Sequence, residues 1–202
     1  MSGKTILEPS YPVTDISQVV ALDGKRFVLP EEKIYIILNK PKGVITTCRD
    51  KFADRKVTDL LPQHLKNLYP VGRLDKDTTG LLLLTNDGEL THRMIHPSFE
   101  TEKAYYIVLN KPLKLQDKEK IENGVLLDDK ITAPCRITEA GKELEIVIHE
   151  GRKRQVRRMF SLLHYHVEEL VRTRQGPLSL GELKEGEWRF LTKDEVKQLR
   201  SI

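Results

Sequence analysis

The sequence predicts an α+β protein, built on a largely antiparallel central sheet flanked by helices and loops. Three observations carry that reading. Apolar, β-branched runs such as Ile34–Leu38 and Leu144–Ile148 recur along the chain, with turn residues between them. Helical patterns are interspersed among the strands without strict alternation. The run Gly80–Thr85 has no polar side chain before Thr85, which marks a strand buried on both faces.

The elements follow in order. Residues 1–32 hold too little apolar mass for a core and read as a remnant and linker, with strand and turn character at Val13–Asp15 and Val19–Gly24. Residues 33–202 read as the main domain. Asn39-Lys-Pro-Lys-Gly43 ends the Ile34–Leu38 strand with turn chemistry, and Val44–Thr47 is a second short strand. Lys51–Lys56 is a polar loop, and Val57–Leu61 a short helix ending at Pro62. Asn86-Asp-Gly-Glu89 fits a capping box with Asn86 as N-cap, opening a helix that runs to about His96 and stops at Pro97. Ala104–Leu109 is a strand, and Lys114–Asn123 a helix closed by Gly124. Val125–Leu127 and Cys135–Ile137 are short strands. In Gln155–His164, Val156, Met159, Phe160 and Leu163 recur at i, i+3, i+4 and i+7 and form one helical face. Val167–Arg172 and Trp188–Leu191 are strands. Thr192–Leu199 is a closing helix, with Thr192 and Glu195 as its capping box.

Composition narrows the function. The 202 residues are 32% charged and 39% hydrophobic, an ordinary globular balance. A net charge of +4 permits nucleic-acid binding without establishing it. Cys48 and Cys135 lie far apart and form no Cys-x-x-Cys pair, which excludes a zinc ribbon and predicts free thiols in a reducing, cytoplasmic setting. No apolar run approaches the ~18 residues of a membrane span, and the N-terminus has no apolar leader. Neither glycine-rich nucleotide motif occurs, so no nucleotide cofactor is expected. His92 and His96 are spaced i, i+4 but lack a third ligand and the Glu of the zinc-protease pattern, so no metal is expected.

Three constellations carry possible chemistry. In Tyr69-Pro-Val-Gly-Arg-Leu-Asp75, a carboxylate sits on a loop directly before the buried Gly80–Thr85 strand. A rigid scaffold can present it to a substrate there, although Asp is also a common turn and capping residue. In Glu150–Arg158, Arg154, Arg157 and Arg158 share a helix face offset from the apolar stripe. Such a guanidinium row suits phosphates, and a solvated cationic face is the plain alternative. Tyr105 and Tyr106 are adjacent in a strand, so one faces the core and the other solvent, where it can stack on a base or simply pack.

Taken together, Leu38–Gly43, Pro70–Gly88, Glu102–Tyr105, Glu150–Phe160 and Leu170–Arg172 with Gly176 resemble the ribosomal-RNA pseudouridine synthases of the RsuA/RluB branch. The resemblance covers roughly residues 33–192. It implies the pseudouridine synthase catalytic fold and the isomerisation of a uridine in ribosomal RNA, nearer the large-subunit (23S) enzymes. It implies Asp75 as nucleophile, Tyr105 stacking on a flipped base, and Arg157 as the guanidinium that keeps Asp75 ionised, with Arg158 second. Arg73, Lys40, Lys103, Arg152, Arg154, Arg158 and Arg172 are then the RNA contacts. Only bonds are exchanged, so the reaction requires no cofactor and no metal. Relatives carry a small RNA-binding domain before the core, and residues 1–32 match only its C-terminal part. The expected partner is ribosomal RNA, and the expected state a monomer. Without the resemblance, a non-catalytic RNA-binding factor or a metal hydrolase at His92 and His96 competes.

Overall fold

The computed structural model describes residues 20–22, 25–27, 32–48, 54–139 and 141–201. Contacts divide the chain into two units, Met1–Glu32 and Lys33–Ile202. In the first, β1 (Val20–Leu22) and β2 (Lys25–Phe27) pair antiparallel. The strand expected at Val13–Asp15 lies outside the described residues.

The second unit runs β3 (Tyr35–Lys40), β4 (Tyr69–Pro70), β5 (Thr79–Thr85), α1 (Gly88–Ile95), β6 (Lys103–Leu109) and α2 (Leu115–Glu122). Next come the small hairpin β7 (Leu126–Leu127) and β8 (Lys130–Ile131), then β9 (Arg136–Thr138), β10 (Glu143–Ile148) and α3 (Gln155–Leu162). β11 (Val167–Gln175), β12 (Leu178–Ser179), β13 (Trp188–Phe190) and α4 (Lys193–Arg200) complete it. A nine-stranded sheet has the order β13-β3-β5-β11-β6-β10-β9, with β4 on β5 and β12 on β11. Every pairing in it is antiparallel except β5 with β11. The fold is therefore α+β on a mostly antiparallel sheet, as the strand pattern predicts.

Both sheet faces are covered, which explains the unbroken apolar run in β5. Leu82 and Leu84 enter one core with Ile36, Leu38, Ile121 of α2 and Val156, Met159 and Phe160 of α3. Leu81 and Leu83 enter the other with Tyr35, Ile37, Leu90 and Met94 of α1 and Leu199 of α4. Each of these fully buried leucines contributes about 2 kcal/mol. At the parallel junction, Gly80 lies opposite Arg172. Its φ is +104°, and a Cβ there would lie 2.3 Å from the Arg172 carbonyl oxygen, so only glycine fits.

Local readings differ in three places. The α1 N-cap is Asp87, whose side chain accepts from Leu90 N–H at 3.3 Å. Asn86, expected in that role, instead accepts from Ile34 N–H at 2.8 Å and ties the end of β5 to the entry of β3. Val44–Thr47 makes only an isolated bridge, Ile45 to Lys56. The helix expected over Gln155–His164 ends at Leu162.

Candidate active site

Asp75 sits on the loop between β4 and β5, and the carbonyls of residues 75–78 all accept hydrogen bonds. The Asp75 carbonyl accepts from Thr78 N–H at 3.1 Å. The Lys76 carbonyl accepts from Gly43 N–H at 2.9 Å and from the Lys40 amine at 3.4 Å. Arg157 donates to the Asp77 carbonyl at 3.0 Å, and Lys40 to that of Thr78 at 2.8 Å. On the other side, the Thr46 hydroxyl bonds both backbone groups of Leu74. The half-buried Asp75 carboxylate itself makes no hydrogen bond or ion pair among the described residues. The scaffold thus anchors the loop and leaves the carboxylate without a protein partner among the described residues.

The carboxylate lines a cleft of about 900 Å³ together with Arg73, Lys103, Tyr105, Arg154, Arg172 and Gln175. β6 and β11 build its floor, where Tyr105 lies opposite Arg172 in register. Tyr105 is buried and faces this site. Tyr106 points the other way and donates its hydroxyl to Glu143 at 2.7 Å, a cross-strand contact remote from the cleft. Burial and the nearby Arg172 guanidinium push the Lys103 amine down to about 8.

The basic residues separate into two groups. Arg73 is exposed and makes no hydrogen bond or ion pair among the described residues. Arg154 is also exposed, with Asp77 at 3.5 Å. It is the N-cap of α3, in a left-handed conformation (φ 51°) and outside the helix proper, yet it lines one surface with Arg157 and Arg158. The others are committed inside the protein. Lys40, expected among the RNA contacts, is 0% exposed, and its amine donates to three carbonyls. Burial lowers it to about 8, against the opposing pull of Asp77, Asp75 and Glu185. Arg152 donates to the carbonyls of Leu127, Lys130 and Ile131 and pairs with Glu150, so it braces the β7–β8 hairpin and is not left free for a phosphate. Arg158 is held in a fork by Asp128. Arg157 donates to Val167 and Asp77 carbonyls and forms no ion pair with Asp75, although Asp75 lies within its electrostatic reach. Burial and Arg154 lower its basicity. Arg172 is 1% exposed and anchored to the Leu81 carbonyl, so it meets the cleft from within, not at its rim.

Thr46, Thr101 and Gln175 escape a reading by motif. Thr46 and Gln175 bond partners distant in sequence, Leu74 and Val71, and no spacing signals any of the three. His92 and His96 stack at 4.9 Å, and no group of three metal-binding side chains occurs among the described residues. Cys48 and Cys135 form no disulfide, and burial pushes the Cys135 thiol up to about 12. No helix is long and apolar enough to cross a membrane, among the described residues.

The family model for RNA pseudouridylate synthase matches residues 34–162, and the chain belongs to that family. Ribosomal large subunit pseudouridine synthase B of Bacillus subtilis is 38% identical over 100% of this chain and 85% of its own length. Ribosomal small subunit pseudouridine synthase A of Vibrio cholerae is 38% identical over 82% of this chain and 73% of its own. These relatives place the chain in the RsuA/RluB branch, as an isomerase. A crystal structure of a pseudouridylate synthase, 35% identical, matches with a TM-score of 0.80 over 86% of this chain and 76% of that one. An archaeal box H/ACA Nop10–Cbf5 complex matches at 17% identity and a TM-score of 0.53 over 74% of this chain and 50% of that one, a likeness of fold alone.

Proposed function

We propose that this enzyme converts a specific uridine of ribosomal RNA to pseudouridine, with Asp75 as nucleophile. The observation that carries the reading is Asp75, whose carboxylate is unpartnered among the described residues, on a loop anchored through its carbonyls and lining the same cleft as Tyr105. A preset attack geometry of this kind lowers the barrier without reorganisation of the protein. The large subunit (23S) is favoured, because the match to a large-subunit synthase spans the whole chain while the small-subunit match spans 82% of it.

The target base leaves its stack to enter the cleft. Asp75 attacks the sugar or the base ring, and the C1′–N1 bond breaks. The uracil turns, a C1′–C5 bond forms, and the bond between Asp75 and the substrate breaks, which restores the carboxylate. The C5 proton goes to water and N1 gains a proton, so the change is an isomerisation that consumes nothing. Tyr105 supports the ring. Arg73 and Arg154 hold phosphates at the rim, with Lys103 deeper. Arg157 and Lys40 shape the nucleophile loop from behind. The unit Met1–Glu32 is read as the C-terminal part of an RNA-binding domain. The protein works as a cytoplasmic monomer, without a nucleotide cofactor or metal.

The test is tritium release from ribosomal RNA labelled at C5 of uridine. Wild type releases tritium and Asp75→Asn does not. Equal release from both would refute the role of Asp75.

A further inference from the structure

Four buried polar atoms on the walls of this cleft find no protein partner: Thr78 Oγ1, Thr101 Oγ1, Arg172 Nη2 and Gln175 Oε1. A polar atom stranded away from water costs free energy unless something bonds it. Their concentration in one cleft points to a polar ligand that supplies the missing bonds.

Arg172 and Gln175 are each 1% exposed, so neither serves a phosphate at the surface. Both lie on β11. Three positions apart, they would face opposite sides of a regular strand. A register shift between Arg172 and Arg174 inserts the extra residue that returns Gln175 to the cleft. Each side chain is then anchored at one end. Gln175 Nε2 donates to the Val71 carbonyl at 3.4 Å, which orients the amide and leaves Oε1 as a fixed acceptor. Arg172 Nε donates to the Leu81 carbonyl at 2.8 Å, which leaves Nη2 as a fixed donor.

We propose that Gln175 and Arg172 read the Watson–Crick edge of the flipped uracil, Gln175 Oε1 accepting from N3–H and Arg172 Nη2 donating to an adjacent ring carbonyl. The inference rests on the isomerase reading and names the residues that select uridine within it. Uracil offers a donor flanked by two carbonyls. Cytosine offers a lone pair at N3 with an amino group beside it, so an acceptor would face a lone pair and a donor would face a donor. A site with fixed, buried hydrogen-bonding groups rejects such a mismatch strongly.

The uracil pattern has a second property that suits this reaction. A half-turn about the N3–C6 axis exchanges N1 with C5 and O2 with O4, and leaves N3–H in place. The same two side chains can therefore hold the ring before and after the turn that brings C5 to C1′. Gln175 acts as the pivot.

The experiment first establishes turnover by tritium release and locates the pseudouridine formed by carbodiimide modification and primer extension. The RNA is then prepared with uridine, 3-methyluridine or cytidine at that position. Its binding is measured to Asp75→Asn protein with Gln175 intact or replaced by Leu. With Gln175 intact, uridine RNA binds about tenfold or more tighter than the other two. Gln175→Leu removes most of that preference, and a thermal melt shows that the variant is folded. Equal binding of the three RNAs with Gln175 intact overturns the proposal, and that comparison needs no folded Leu variant. A preference that survives Gln175→Leu overturns it as well. No tritium release by wild type would overturn the isomerase reading itself, and this inference with it.

Discussion

The Thr46 hydroxyl holds Leu74 by both of its backbone groups, donating to the carbonyl at 2.8 Å and accepting from the N–H at 3.3 Å. Leu74 is the residue before Asp75, the proposed nucleophile, and both partners are buried. Thr46→Val keeps the shape and strands both Leu74 groups, at a cost of about 1–3 kcal/mol. The loop that carries Asp75 then shifts, and turnover falls by about tenfold to a hundredfold. Thermal denaturation and tritium release, measured together, check both effects.

Asp75→Asn preserves the shape of the side chain and removes its nucleophilic charge. The Asp75 carboxylate makes no bond on which the fold depends, so the melting temperature stays near that of wild type. Turnover falls by at least about a thousandfold. A large drop in melting temperature would assign Asp75 a structural role.

Gly80→Ala places a methyl 2.3 Å from the Arg172 carbonyl oxygen and 2.6 Å from its nitrogen, at a φ of +104°. Both obstacles are backbone and cannot swing aside. Strain and overpacking together cost about 3 kcal/mol or more. The shift of the urea midpoint at constant slope measures it.

Alkaline stability reports on the buried amines. Lys40 and Lys103 are lowered from 10.5 to about 8, chiefly by burial. Below about 8 both states are protonated, and the cost of burying the charge is fully present. Between about 8 and 10.5 the folded protein loses these protons first. The unfolded chain then binds more protons, so stability rises with pH. Urea titrations from pH 7.5 to 9.5, short of the tyrosine titrations, should show the rise, and Lys40→Met should reduce it.

The acid limb reports on α4. The Arg189 guanidinium holds the Glu195 carboxyl at about 2, against a usual 4.5. That stability is complete above 4.5 and is lost as pH falls from there through about 2. Glu195→Gln should flatten stability across this range, and a circular-dichroism acid titration tests it.

Much of this protein was legible in its residues, because the signals are local. The period-2 and unbroken apolar runs placed β3, β5, β6 and β10, and the 3.6-residue stripe of Val156, Met159 and Phe160 placed α3. Gly72–Asp75 before a buried strand marked the loop of the proposed nucleophile, and the ordered motifs marked the family. What those signals could not decide is which polar side chain meets which. Asn86 and Asp87 both suit an N-cap, and only the tie from Asn86 to Ile34, 52 residues away, separates them. The basic run around Arg154 reads as one helix face only if Arg154 is helical, and its left-handed backbone places it outside the helix proper.

The sequence by itself determined the long strands β3, β5, β6 and β10, the helices and the family, since periodicity and motif are properties of neighbours along the chain. Tertiary structure alone decided that Lys40 grips Thr78 across 38 residues, that Arg157 grips Asp77 across 80, and that a register shift in β11 turns Gln175 into the cleft beside Arg172. The physical reason is desolvation. A buried amine, guanidinium or amide must find a partner wherever the folded chain brings one, and that partner need not be near in sequence.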